Sequence, residues 1–518
     1  MTKYHFVRQV FSCRVNSHIL FVKYKENFAV VQYKMLSYAY DSLLYGILGD
    51  SNRFNMSAFF SNLQSKRKML LIMKKYLSLF VILYLFAGAV SADDRVLEKL
   101  RQIPQISDIQ KLDVKPFEEY YQFWFEQPID HNNPSEGTFK QKVLLGHKKQ
   151  DAPVIVELEG YNIWSSEEGE LANILKGNQL TIEHRFFDQS VPEGGIPWEN
   201  LTIKQAADDQ HEIIQAIRQK IYPASKWIST GISKGGQTTI FHRYFYPADV
   251  DISVPYVAPL NLEYVDPRLD KFLNRLGTAK SGVKALFNWE DLNTCHYTIR
   301  DFQTMCFEHL DTLLPMLEEL AAEKKYTYRM VGGTKRALQL MILEYPFAFW
   351  QWGNNCADIP DQESADWEEI FEYLVNVSSP DFFEDKYIVR MQPFFYAALT
   401  EIGMYDYKIK PFKKFLPEDD KDIDFSFTMP EGVEKKPFND KQMKAINEWL
   451  QTDAERILFV YGGSDPWYAT GVDLKKNGKC RKYVRGDMSH ACRIKDFDPV
   501  SKEDLLDTLN EWMQENEK

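Results

Sequence analysis

The chain reads as an α/β protein: a mostly parallel sheet with helices on both faces and a large helical segment inserted between two strands. Three observations predict this. Short apolar strands alternate with helical stretches from Pro153 to Val257. The alternation stops near residue 263 and gives way to a long run of helical period. It resumes at Arg456-Ile457-Leu458-Phe459-Val460-Tyr461. Strand–helix alternation is the signature of a parallel sheet covered on both faces.

The elements follow in order. Val96, Leu97, Leu100 and Ile103 share one stripe, so residues 93–106 predict a short amphipathic helix. From Phe117 the period becomes two: Tyr121, Phe123 and Phe125 alternate with Tyr120, Gln122, Trp124 and Glu126. Gln127-Pro128-Ile129-Asp130-His131 then turns the chain through Asn132-Asn133-Pro134 into a second strand, Thr138 to Leu145, which makes a hairpin or meander. Pro153 to Leu158 is a short apolar strand, and Leu180 to Glu183 another. Residues 203–220 carry helical spacing in Ala206, Ile213, Ile214 and Ile217. Lys226 to Thr230 is a strand that runs into a helix near Lys234, and Ile252 to Val257 a further strand.

The inserted segment predicts helices over 283–289, 297–324, 333–351, 366–376, 386–404 and 439–451. After it come a strand at 456–461, another from Cys480 to Val484 and a terminal helix at 501–516. The simplest organisation is one α/β domain, 93–262 plus 453–518, with a helical lid, 263–452, inserted between two strands.

With 518 residues, 44% hydrophobic and 26% charged, the chain has material for a large core and is not disordered as a whole. A net charge of -12 argues against a nucleic-acid binder held by phosphate electrostatics. Residues 1–92 depart from that balance, with 12 Lys and Arg against 3 Asp and Glu. Met73-Lys74-Lys75, the apolar run Leu77 to Leu85 and the small residues Val90-Ser91-Ala92 read as a signal peptide at 73–92, cleaved after Ala92. That implies an exported, secreted or periplasmic protein with no stable membrane anchor after cleavage. Residues 1–72 then read as a start-site artefact, translation beginning at Met73; the alternative is an unstructured extension. Of the six cysteines, Cys295, Cys306, Cys356, Cys480 and Cys492 lie beyond the leader. Their connectivity is left open, and none has C-x-x-C spacing.

Strand 226–230 runs into Gly231-Ile232-Ser233-Lys234-Gly235 and then helix. This is G-x-S-x-G, the nucleophile elbow of the α/β-hydrolase fold, which exposes Ser233 at the sheet's C-terminal edge. A hydroxyl needs a base, and the base an acid to orient it, in the chain order Ser, acid, His. His490, in a loop after the resumed strands, is the candidate base; His242 lies on the helix leaving the elbow, and His296 and His309 lie in the insert. Asp465 ends strand 456–461 and is the candidate acid, although a turn before Pro466 would also favour Asp there. Asp487 is a rival, too close to His490 in sequence for the standard partner.

Two backbone N–H groups are candidates for the oxyanion hole: that of Lys234, after the nucleophile, and that of Tyr161, in the loop Glu159-Gly160-Tyr161-Asn162. Glu159 and Glu183 end neighbouring strands and are positioned to brace Arg185 or to bind a substrate ammonium. There is no H-E-x-x-H and no phosphate loop, so no metal and no cofactor are implied. On these residues alone the chemistry is acyl transfer by an activated serine. An esterase or lipase acting on small esters shares it with a peptidase, and a non-catalytic binding module ranks last because the triad is whole.

Glu183-His184-Arg185-Phe186-Phe187, Gln127-Pro128-Ile129-Asp130-His131 and Gly231-Ile232-Ser233-Lys234-Gly235-Gly236 together resemble serine peptidase family thirty-seven, the secreted bacterial tripeptidyl aminopeptidases. The likeness covers nearly all of 93–518, and Phe394-Phe395-Tyr396 with Thr400-Glu401-Ile402-Gly403 adds to it. More distantly the chain is similar to the prolyl carboxypeptidase and dipeptidyl peptidase II family, where Tyr usually follows the serine. The resemblance implies an exopeptidase that releases tripeptides from a free N-terminus, often after Pro, with peptides as its partners. An exopeptidase must hold the substrate ammonium, for which Glu401 is the first choice and Glu344 and Glu159 the alternatives. Phe347, Phe349, Trp350 and Trp352 are candidates to stack on a proline ring, Trp350 foremost, or are core of the lid. Oligomeric state is open.

Overall fold

The computed structural model describes residues 95–278, 289–361, 363–434, 436–475 and 477–515. The readings for 1–72 and for the leader at 73–92 lie outside the described residues, as does most of the helix expected over 283–289.

Helix α1 (Arg95–Leu100) buries Val96 and Leu100, then stops short of the expected end. The chain turns and enters β1 (Ile106–Leu112), an edge strand with no clean period in the sequence. The reason is local: the pairing of β1 with the next strand shifts register between Ser107 and Gln110, and Asp108 stands at φ 53. Strands β2 (Glu119–Pro128) and β3 (Thr138–His147) form a long antiparallel hairpin. Then follow β4 (Val154–Leu158), α2 (Glu170–Ile174), β5 (Asn178–Ile182), α3 (Ile203–Lys220), β6 (Trp227–Ile232), α4 (Lys234–Phe245) and β7 (Ile252–Tyr256).

The helical segment comprises α5 (Pro267–Leu273), α6 (Trp289–Glu308), α7 (Leu310–Lys324), α8 (Thr334–Trp352), α9 (Trp367–Val377), α10 (Asp385–Ala397) and α11 (Lys441–Thr452). The single helix expected over 297–324 is two, because His309 leaves helical geometry at φ -116, ψ 31. The helix expected over 386–404 ends at Ala397 and continues as one π turn, Ala398–Ile402, stopped by Gly403 at φ 76. Strands β8 (Leu458–Gly462) and β9 (Arg481–Arg485) and helix α12 (Pro499–Gln514) complete the chain.

Among the described residues the strands form one sheet in the order β1-β2-β3-β5-β4-β6-β7-β8-β9. The β5-β4-β6-β7-β8-β9 part is parallel, so its C-terminal strand ends share one edge. The helical segment is seated by burial. One apolar cluster runs from Phe459, Tyr461 and Ala258 on the sheet through Ile240 and Phe241 of α4 to Phe302, Leu338, Met341 and Phe395. Each such side chain contributes about 1.5–3 kcal/mol when fully buried. Cys295 and Cys356 form a disulfide that ties α6 to the turn after α8, while Cys306, Cys480 and Cys492 are buried thiols. No helix among the described residues is long and apolar enough to cross a membrane.

Arg185, directly after β5, is fully buried. Neither Glu159 nor Glu183 braces it. Asp209 of α3 does, accepting from Nε at 2.7 Å and Nη2 at 2.9 Å. The remaining guanidinium N–H groups donate to the carbonyls of Pro128, Ile129 and Asn200, and His131 Nε2 meets the same Asp209 at 2.7 Å. Glu183 instead accepts from Ile163 N, on the loop that follows β4, at 2.9 Å and from Ser190 Oγ, after β5, at 2.7 Å. Two of the motifs quoted above, 127–131 and 183–187, thus converge on one buried ion pair. Replacing one member of such a pair strands the other in a low dielectric. Asp209→Asn is expected to lower unfolding free energy by about 3–5 kcal/mol, read from the urea midpoint. A loss below about 1 kcal/mol would show that the carbonyls alone satisfy Arg185.

Candidate active site

Strand β6 delivers Ser233 at φ 59, ψ -120, a left-handed conformation that a non-glycine residue holds only when its surroundings impose it. The imposing contacts are backbone. A Cβ at Gly160 would lie 2.5 Å from Gly235 N and from the Lys234 carbonyl carbon, and a Cβ at Gly235 would lie 2.7 Å from Leu158 O. The loop after β4 and the elbow after β6 therefore touch main chain to main chain. Ser233 N donates to Tyr256 O of β7 at 3.0 Å, which fixes the elbow from its other side. Ser233 is half-buried, and Ile232 beside it is exposed.

Asp465 follows β8 and His490 follows β9; both are buried. Asp465 performs both duties its sequence position suggested. Oδ1 accepts from Trp467 N at 3.0 Å, capping the turn before the helical Pro466–Thr470, and Oδ2 meets His490 Nδ1 at 2.6 Å. That pairing keeps the proton on Nδ1 and leaves Nε2 as the acceptor. The rival Asp487 is engaged by Arg485 at 3.1 Å. His242 Nε2 meets Asp249 at 3.0 Å inside the fold, and His309 packs on Trp367 at 4.4 Å. The helical segment supports the His490 loop directly, since His490 N donates to Gln351 O at 3.0 Å.

The N–H groups of Tyr161 and Lys234 have no acceptor among the described residues. The Tyr161 hydroxyl faces the Ser233 side chain, and burial pushes its phenol pKa up. Phe394 of α10 packs over the Tyr161 ring at 5.5 Å. The Lys234 ammonium is buried and donates to Gly160 O at 2.7 Å. Burial brings its pKa down to about 7, against an opposing pull from Glu401.

The candidate carboxylates separate by partner. Glu344 is buried and accepts from Tyr405 Oη at 2.8 Å and Tyr407 Oη at 2.7 Å; burial pushes its pKa up to about 7. Glu401 accepts from Ile203 N at 2.9 Å, capping the start of α3, and its pKa is likewise raised by burial. Glu159 has no hydrogen bond to its carboxylate among the described residues. Burial raises its pKa to about 8, and the neighbouring charges of Glu157 and Glu183 add to the rise. The aromatic candidates separate too. Phe347 is buried and stacks on Tyr405 at 3.8 Å, and Trp350 packs beside Gly277 and Phe349. Trp352, 61% exposed, is the ring that stands edge-on to His490 at 6.2 Å. It is the last residue of α8, just before the left-handed Gly353, where helical period no longer tells core from site.

A mostly parallel sheet with a strand–turn–helix serine at its C-terminal edge is the architecture of an α/β-hydrolase, and this chain is one. It belongs to the PS-10 peptidase S37 family, which it matches over residues 88–514. It is similar to prolyl tri/tetrapeptidyl aminopeptidase of Streptomyces mobaraensis, 30% identical over 396 residues that cover 75% of this chain and 78% of that protein. A shorter likeness, 27% identical over 158 residues, covers 27% of this chain and 30% of thymus-specific serine protease of Mus musculus. Among solved structures, proline iminopeptidase of Mycobacterium smegmatis is 11% identical over 75% of this chain and 99% of that one, with a TM-score of 0.34.

The contact at Gly160 yields a test. Gly160→Ala would drive a methyl into backbone that cannot yield, and so shift the loop that carries Tyr161. Hydrolysis is expected to fall by about 10²–10³ in kcat, the scale of losing one oxyanion donor. The circular dichroism spectrum should be retained. Full activity in Gly160→Ala would mean that the loop position is unimportant.

Proposed function

We propose that the chain is a serine exopeptidase that removes short peptides, tripeptides foremost, from a free N-terminus. Ser233 is the nucleophile, His490 the base and Asp465 its orienter. The observation that carries this reading is the 2.6 Å His490–Asp465 pair on the same sheet edge as the strained Ser233, in a chain of a peptidase family. Similarity to a tri/tetrapeptidyl aminopeptidase supports the peptide length and a preference for Pro before the cut.

The steps follow from these groups. Ser233 Oγ attacks the scissile carbonyl as its proton passes to His490 Nε2, and Asp465 stabilises the imidazolium. The carbonyl oxygen gains charge, which the N–H groups of Tyr161 and Lys234 receive. His490 then protonates the leaving amine as the C–N bond breaks, and water repeats the cycle on the acyl-enzyme. Because His490 serves the leaving amine, Trp352 at its edge borders the leaving-group side. Ser233→Ala is expected to cut hydrolysis by several orders of magnitude in a folded protein and to abolish fluorophosphonate labelling. Labelling that persists would move the nucleophile elsewhere.

The substrate ammonium is assigned to Glu159. Glu344 and Glu401 are satisfied within the fold, whereas Glu159 lies with Glu157 and Glu183 in a group short of positive charge. A cation entering there offsets the burial, and the lesser repulsion from Glu157 and Glu183, that raise the Glu159 pKa. Acetylating a tripeptide anilide, or Glu159→Gln with the free amine, should each lower kcat/KM by about 10²–10³, the scale of one broken buried charge pair. Cleavage of p-nitrophenyl acetate should persist in Glu159→Gln. Equal cleavage of acetylated and free tripeptides would sink the exopeptidase reading and favour an esterase. Discrimination that survives in Glu159→Gln would move the anchor to another carboxylate.

A further inference from the structure

A lysine side chain folded beneath a nucleophile elbow is costly to bury, and among the described residues Lys234 makes no salt bridge, only the longer-range pull of Glu401 opposing the cost. Lys234 is 5% exposed. Its Nζ donates to Gly160 O at 2.7 Å, and the rings of Tyr161 and Phe187 lie 5.8 Å and 5.5 Å from it. A small cavity is lined by His184, Gln210, Thr238 and Lys234 itself. Gln210 Oε1 is buried without a partner among the described residues. The one strong contact of the ammonium is therefore the Gly160 carbonyl.

The Gly160–Tyr161 peptide is trans, the cis bond among the described residues being Lys115–Pro116. In a trans peptide the C=O and the N–H are locked into one plane and point in opposite directions. A cation that holds the Gly160 carbonyl from inside therefore turns the Tyr161 N–H outward. The same contact polarises the peptide and strengthens its N–H as a donor. That N–H has no acceptor of its own among the described residues.

We propose that the Lys234 side chain is a positioning residue of the oxyanion hole, which aims the Tyr161 N–H through the Gly160 carbonyl. Lys234 thus serves the hole twice, with its own N–H directly and with its ammonium through the neighbouring loop. The proposal rests on the reading of Ser233 as nucleophile and Tyr161 N–H as donor. It does not depend on substrate length, because the hole serves any acyl group.

The test uses the full chain with Lys234→Met, which keeps the length and the backbone N–H but removes the tether, and Lys234→Gln, which restores a neutral donor. Each is measured on a free-amine tripeptide anilide and on p-nitrophenyl acetate, together with inhibition by a small boronic acid whose tetrahedral adduct fills the hole. Lys234→Met is expected to lose about ten- to a hundredfold in kcat on both substrates. KM should stay within about threefold, because the tether acts in the transition state. Boronate affinity should fall in parallel with kcat, and Lys234→Gln should recover part of both. Unchanged kcat in a folded Lys234→Met would overturn the proposal. So would lost kcat with boronate affinity intact, loss on the anilide alone, or failure of both variants to fold, which would make Lys234 a stability residue. A wild type that cleaves only the ester would defeat the exopeptidase reading and leave this test standing on the ester.

Discussion

A side chain on Gly160 would meet the main chain of Lys234 and Gly235 at 2.5 Å, so the loop after β4 and the turn after β6 lie in direct backbone contact. Much of the site's geometry is conditional on that approach. It requires β4 and β6 to be parallel neighbours, as they are, so that both end at the same level. It accompanies the left-handed Ser233, brings the loop of Tyr161 against the turn of Lys234, whose N–H groups have no acceptor among the described residues, and lets a lysine side chain reach back to the crossing loop. Glycine at these positions is a requirement of distance, since any Cβ would be in the neighbouring backbone.

The helical segment acts on the site as part of its wall. Its core is continuous with the sheet, and its polar groups reach into the hydrolase part. Gln351 O holds the His490 backbone, Phe394 covers Tyr161, and Glu401 caps α3 through Ile203. A flap that swings on hinges would have to break these contacts and expose the shared apolar surface. The helical segment is thus packed onto the hydrolase part, with the exposed Trp352 standing edge-on to His490.

What could be read from sequence follows the range of the interactions. The elbow is a local pattern, and strand, turn, serine and helix all stand where period and glycine spacing put them. Asp465 and His490 were legible as residues ending strands, and the fold brings them within 2.6 Å. Strand β1 was not legible, because a register shift erases its alternation. Nor was the partner of Arg185, because Asp209 comes from a helix whose position depends on the finished sheet. Among Glu159, Glu344 and Glu401 the sequence put Glu401 first, with nothing local to separate it from the other two. They differ in the partners that meet them, two tyrosines for one and a helix N-terminus for another, and those partners lie far along the chain. The pairing of Cys295 with Cys356 was open for the same reason. Lys234 carried a faint local signal: a cation between a serine and two glycines, with strand behind it, is out of place unless something inside receives it.

The order of the strands also has a bearing on how the protein comes to life during synthesis. Strand β7 pairs on one side with β6 and on the other with β8, yet the entire helical segment is made between β7 and β8. Ser233 therefore leaves the ribosome long before Asp465 and His490 exist. Such distant pairings close late and slowly. In the proposed mechanism an unfinished chain carries a nucleophile with no base, and the helical segment is made before the histidine arrives. The proposed peptidase is in this sense its own zymogen until its last strand docks, with no propeptide needed to keep it silent while the chain is still being made.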